Sequence, residues 1–177
     1  ASAGAHRSHG GDGDVNKLTG AAGSERSEVF KLDTVDRAII SALQIDGRMS
    51  YAELGPRVGM SQAAVRQRVN RLIDRGVMQV VAVTDPLSLG LSTQAMVGIT
   101  VSGDVRTVAA AVAGLVEAEY VLITAGRFDV LAEVLCEDND ALLTLVNDRI
   151  LQIDGVASTE VSPVLKMEKL TFSWGTG

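Results

Sequence analysis

The stretch Ser50-Tyr-Ala-Glu-Leu-Gly-Pro-Arg-Val-Gly-Met-Ser-Gln-Ala-Ala-Val-Arg-Gln-Arg-Val-Asn-Arg-Leu-Ile-Asp-Arg-Gly76 decides the fold of the first half of the chain. Ser50 and Glu53 stand at capping-box spacing, in which the hydroxyl serves a backbone N–H and the carboxylate reaches back. Leu54 and Val58 give the short helix that follows an inner face, and Gly59 ends it. Ser61 is the next N-cap, opening a helix whose apolar stripe is Val65, Val69 and Leu72 and which stops at Gly76. Two short helices joined by a Gly-containing turn form a helix-turn-helix.

Advancing about 100° per residue around the second of these helices separates its faces. Ala63, Gln67, Asn70 and Asp74 lie opposite the apolar stripe, with Arg66 and Arg71 flanking them. Gln and Asn can bond adenine through two hydrogen bonds, Arg can do the same with guanine, and a small residue near the helix start permits close approach. Candidate DNA contacts are therefore Ser61, Gln62, Ala63, Arg66, Gln67, Asn70 and Arg71. Arg48, Ser50 and Tyr51, beside the first helix N-terminus, are candidates for phosphate; plain capping is the alternative for both serines. Arg68 projects toward the core stripe and is expected to pair with Glu53 or Asp36.

Upstream, Val35, Ile39, Ala42 and Leu43 fall on one face of a helix over 32–44, with Asp33 at its N-cap and Gly47 beyond its end. The charge distribution follows the same division. The 177-residue chain has net charge −6, yet residues 31–84 carry 8 Lys/Arg against 5 Asp/Glu and residues 85–177 carry 5 against 13. A basic module followed by an acidic one confines any polyanion to the first half. Residues 1–28, rich in Gly, Ser and Ala, are expected to be a disordered tail. His6 and His9 lie there without a Cys or carboxylate cluster, so no metal site and no cofactor is expected.

The DNA-binding module is expected to span 29–79 and a linker 80–93. Val77-Met-Gln-Val-Val-Ala-Val83 reads as a strand, and its apolar surface and unpaired backbone call for a partner subunit. A dimer would set two recognition helices on one DNA face to meet a palindromic site. Residues 94–177 read as strand, helix, strand, strand, helix, strand. The strands are 94–102, 120–124, 128–135 and 156–166, and the helices begin at Asp104 and Asp138. Gly126 is expected to take positive φ in a tight hairpin turn. This order is the ferredoxin-like βαββαβ sandwich, and with the first module it gives an α+β class.

Apolar residues make up 46% of the chain, but no run approaches the roughly 18 needed to span a membrane, and the start lacks a signal peptide's pattern. A cytoplasmic protein, nucleoid-associated when DNA-bound, is expected, with no membrane partner. Cys136 alternates with apolar residues and reads as a reduced, buried thiol. An enzyme is disfavoured: histidine is absent after residue 9, and no phosphate-cradling GxxxxGK[ST] loop occurs. RNA binding on the sheet is disfavoured by the scarcity of stacking aromatics.

Leu32-Asp-Thr-Val-Asp-Arg37, Asp46-Gly-Arg-Met-Ser50, Glu53-Leu54, Val58-Gly-Met-Ser61, Val65, Arg68-Val69, Arg71-Leu72 and Arg75-Gly-Val77 closely resemble the DNA-binding half of the leucine- and asparagine-responsive (Lrp/AsnC) regulators. Ala125-Gly-Arg-Phe-Asp-Val-Leu131, Gly155-Val156, Thr159 and Val164 continue the resemblance, which covers about residues 29–170. It implies a winged helix-turn-helix, a linker strand paired across a dimer, and a RAM-type sandwich assembling dimers into octamers or similar rings. It also implies an amino-acid effector at subunit contacts near the glycine turn, which places Thr124, Gly126, Arg127, Asp129 and Thr159 at the effector site. A zwitterion needs a donor for its carboxylate and an acceptor for its ammonium group, roles that suit Arg127 and Asp129. The alternative is that Gly126 merely turns and Asp129 caps. The chain departs from the family pattern at Arg127, where an acidic residue is common, at Val161, where a hydroxyl is common, and at Pro163, which restricts the last strand to an edge or bulge.

The expected function is thus an effector-responsive, sequence-specific transcription regulator. Its effector is left open among leucine, alanine, asparagine and aromatic amino acids, and a regulator of alanine metabolism is one such member. The alternative is an amino-acid-sensing regulatory subunit acting on an enzyme through protein contacts.

Overall fold

The computed structural model describes residues 30–170; the expected tail, with His6 and His9, lies outside the described residues. The chain divides into two compact units between Ala82 and Val83.

The first unit is three helices. At α1 (Thr34–Ile45) the Asp33 side chain accepts from the Asp36 N–H at 2.7 Å, and the Asp36 carboxylate accepts from the Asp33 N–H at 3.3 Å. This is a capping box with aspartate at both ends. At α2 (Tyr51–Arg57) Ser50 and Glu53 form the expected box, and the Ser50 hydroxyl holds the Glu53 carboxyl below its usual range. Ser61 caps α3 (Gln62–Asp74) by accepting from the Ala64 N–H. Ile39, Leu54, Val65, Val69 and Leu72 meet in the core with at most 2% exposure. Each such side chain contributes on the order of 1.5–3 kcal/mol on burial.

The turn between α2 and α3 depends on a close backbone approach. The Met60 N–H donates to the Gly55 carbonyl at 2.9 Å, and a Cβ on Gly55 would stand 2.7 Å from the Met60 carbonyl oxygen. No side chain fits there without moving backbone.

The expected strand over Val77–Val83 does not form in the single chain. Its backbone has no neighbouring strand to pair with, and Val80, Val81 and Val83 remain more than half exposed. No wing hairpin occurs among the described residues of this unit.

The second unit is one antiparallel sheet in the order β2-β3-β1-β4, as the ferredoxin-like reading requires, built from β1 (Thr93–Val101), β2 (Ala118–Ile123), β3 (Val130–Cys136) and β4 (Val156–Pro163). Alternation along β1 and β3 sends Ala95, Val97, Ile99, Val130, Ala132 and Val134 into the core. There they meet α4 (Val105–Ala113) and α5 (Asn139–Thr144), whose N-caps Asp104 and Asp138 the sequence identified. The second helix differs from expectation, because its last turns, Leu145–Ile150, are π-helical. Widening the helix there still buries Leu145, Val146 and Ile150. Pro163 ends the edge strand β4, where its missing N–H costs no interior ladder bond. Cys136 is buried, and burial pushes its thiol up.

Gly55→Ala is expected to destabilise the first unit by roughly 1–3 kcal/mol through overpacking, seen as a lower denaturation midpoint by circular dichroism. An unchanged midpoint would show that the α2–α3 turn is looser than this contact requires.

Candidate nucleic-acid interface and effector loop

The buried stripe of α3 turns its opposite face outward. Ser61, Gln62, Ala63, Arg66, Gln67 and Asn70 line one continuous surface depression, and all six are exposed. Gln67 and Asn70 also border a second depression with Arg71, Asp74 and Arg75. Three amides and a guanidinium project from this face of a helix-turn-helix's second helix.

The arginines of α3 divide into two kinds. Arg66 takes part in none of the ion pairs among the described residues. Arg68 donates from Nη1 to Asp36 Oδ1 at 2.8 Å and also pairs with Asp33, so its partner is Asp36 and not Glu53. The Asp33 carboxyl is held below its usual range, chiefly by Arg68, and the Arg68 guanidinium is raised in turn, chiefly by Asp33. Arg71, grouped with the reading face in the sequence, donates from Nη2 to both oxygens of Asp36 at 2.9 and 3.0 Å. Its guanidinium also lies 5.3 Å from the Phe30 ring centroid. A helical wheel locates Arg71 on the flank but cannot show that its long side chain bends back to a buried carboxylate on α1.

At the α2 N-terminus, Arg48 is exposed and Tyr51 packs partly against the core. The Ser50 hydroxyl donates to Glu53 Oε2 at 2.7 Å, and the Ser50 N–H donates to the same oxygen at 3.0 Å. Both donors of Ser50 are thus engaged within the capping box.

In the second unit, Thr124 to Asp129 form a six-residue connection rather than a tight hairpin turn. Gly126 does not take positive φ, contrary to the sequence expectation, because a loop this long turns without it. The Thr124 N–H donates to the Asp129 carbonyl at 2.9 Å, and the Thr124 hydroxyl donates to the Phe128 carbonyl. Asp129 Oδ2 accepts from the Val101 N–H at 2.8 Å, which ties the loop to the end of β1. Arg127 is exposed, pairs with Glu160 on β4 and lies over the Phe128 ring at 5.2 Å.

Thr159 does not join Arg127. It is in register with Ile99, which points into the helix-side core, whereas Glu160 is in register with Gly98 and faces the other way. The Phe128 ring occupies that outer face: a Cβ on Gly98 would come within 2.6 Å of it. Glu160 was missed in the sequence, although its alternation with Thr159 along β4 was a signal that it faced the opposite side.

Comparisons with known proteins meet this geometry in both units. Residues 32–73 match the AsnC-type helix-turn-helix domain and residues 94–174 the Lrp/AsnC ligand binding domain. An uncharacterised HTH-type transcriptional regulator of Pyrococcus abyssi is 36% identical over 151 residues, covering 84% of this chain and 93% of that protein. The transcriptional regulator of Neisseria meningitidis solved as a complex with L-Met superposes with TM-score 0.73 at 32% identity, covering 81% of this chain and 96% of that one. The leucine response regulatory protein of Mycobacterium tuberculosis gives TM-score 0.74 at 30% identity, covering 81% and 99%. With both modules matched in order and the helix-turn-helix face exposed, the chain belongs to the Lrp/AsnC family of transcriptional regulators.

Proposed function

We propose that the protein binds operator DNA through the exposed face of α3 and that an amino acid bound at the 124–129 loop changes its assembly or DNA affinity. The observation that carries the DNA part is the single depression joining Ser61, Gln62, Ala63, Arg66, Gln67 and Asn70. Gln67 and Asn70 read adenine and Arg66 reads guanine or holds phosphate, with Arg48 a second phosphate contact. No metal or catalytic group is assigned to this activity.

The effector reading rests on Arg127 and Glu160, an exposed opposite-charge pair beside Thr124 and Gly126. Arg127 receives the effector's carboxylate. Glu160 accepts from its ammonium group in place of Asp129, whose carboxylate already serves the Val101 N–H. A related regulator was solved with L-Met, so methionine joins leucine, alanine, asparagine and the aromatic amino acids as probes. For such binding to regulate, the effector must prefer one assembly over another.

That assembly is at least a dimer, with Val77–Val83 pairing as a strand against a second copy. The exposed valines and unpaired backbone of that segment support this reading. Higher assemblies, octamers among them, would bring the 124–129 loops of different copies together.

Arg66→Ala is expected to weaken operator binding at least tenfold in a gel-shift titration with the melting curve unchanged; equal affinity would remove Arg66 from the interface. Arg127→Ala should abolish the stabilisation that the best amino acid gives in a thermal-shift panel while DNA binding persists, and an equal shift in variant and parent would refute the effector site. Val81→Lys is expected to lower the mass measured by light scattering. An unchanged mass would place the dimer contact elsewhere.

A further inference from the structure

Two of the four arginines of α3 and its C-cap are neutralised from inside the fold. Asp36, at 1% exposure, accepts from Arg68 Nη1 at 2.8 Å and from Arg71 Nη2 at 2.9 and 3.0 Å, while Asp33 takes a second bond from Arg68. Two carboxylates thus balance two guanidiniums. The Arg71 side chain is nevertheless 44% exposed and borders the depression that contains Gln67 and Asn70. It stands close enough to the reading face to be drawn to a phosphate, yet its charge is spoken for.

We infer that Asp36 is a specificity-determining residue: by holding Arg71 against α1 it keeps that guanidinium off the DNA backbone and limits the protein's affinity for DNA of arbitrary sequence. The inference rests on the reading of α3 as the DNA-facing helix. Phosphate contacts strengthen binding to every sequence alike, whereas base contacts separate operator from background. What matters to a regulator is the ratio of the two affinities. Removing one phosphate-seeking charge from the flank leaves Arg66, Gln67 and Asn70 a larger share of the binding free energy. A phosphate in solvent competes poorly with Asp36 for Arg71. Moving the guanidinium would leave a buried carboxylate with one partner fewer, and the phosphate's own field is screened by salt.

The geometry makes the role of Arg71 conditional on Asp36, which a double-mutant comparison reads directly. Binding of the full-length chain to a random-sequence duplex is followed by fluorescence anisotropy over a range of salt, and log K is plotted against log salt. Each added phosphate contact steepens the slope by about 0.9. Asp36→Asn is expected to steepen it by about that amount per DNA-bound subunit and to lower the ratio of operator to random-sequence affinity. Adding Arg71→Met to Asp36→Asn should restore the original slope, and Arg71→Met alone should leave it unchanged.

A folded Asp36→Asn protein with the parental slope would overturn the inference. So would Arg71→Met alone flattening the slope by about 0.9, since Arg71 would then touch phosphate in the native protein. If Asp36→Asn loses its helical circular dichroism, the Arg71→Met arm decides, because Asp36 then keeps Arg68 as its partner. Failure of the native chain to bind DNA in any salt-dependent way would instead overturn the DNA-facing reading of α3, and this inference with it.

Discussion

A carboxylate out of reach of water must be paired, and in the first unit that carboxylate is Asp36. It lies in the first turn of α1, where its oxygens close the capping box and where the positive end of the helix dipole favours negative charge. The same oxygens then collect guanidiniums from residues 32 and 35 positions later in the chain. One side chain therefore settles both where α1 begins and how α3 is rotated against it. Breaking a buried pair of this kind typically costs on the order of 3–5 kcal/mol, a large part of the stability of a three-helix unit. The rotation decides which residues look outward, so the exposure of Gln67 and Asn70 is tied to a charge on α1 more than thirty residues earlier in the chain.

This dependence explains which parts of the fold were legible from the sequence. Capping is a matter of three or four residues, and Asp33, Ser50, Ser61, Asp104 and Asp138 all cap where their spacing indicates. The apolar stripes of α1 and α3 and the alternation along β1 and β3 repeat with the period of their elements, so the buried sets emerge without tertiary information. Arg71 was less legible. Helical periodicity gives the direction of its Cα–Cβ bond but not the course of a flexible chain several bonds long, and a buried acceptor drew it inward. Arg68 was easier because its Cβ already pointed toward the core. The segment Val77–Val83 differs for another reason: its propensity is sound, but a strand is defined by a partner's backbone, and the partner this segment calls for is a second copy of the chain.

The 124–129 loop shows the limit of motif reading in the second unit. Gly126 sits at the centre of the recognisable pattern, yet its backbone is not in the left-handed region, and nothing lies within 4 Å of where its Cβ would be. A glycine that this unit does need is Gly98, a strand residue against which Phe128 packs. A glycine within an alternating strand signals close approach by another group, and here that group comes from the loop itself. Gly98 and Asp129 together fix both faces of the connection: the ring lies on the sheet, and the carboxylate caps the backbone beyond it. This leaves Asp129 a structural task that its charge alone did not reveal.

The two units use ion pairs in opposite ways. Around Asp36 the pairing is buried on the carboxylate side and shared among several groups, so it resists exchange with solvent or ligand. The Arg127–Glu160 pair is exposed on both sides, 74% and 47%, and pairs of that kind contribute roughly 0–1 kcal/mol. A zwitterion entering between them would replace each partner with a group of the same charge, so little stabilisation is lost when the pair opens. The loop ends are meanwhile held by backbone bonds and by Asp129, and opening the pair need not disturb the strands. A weak pair between firmly held elements suits a ligand site, because most of the ligand's own interaction energy remains available to bias the assembly it joins.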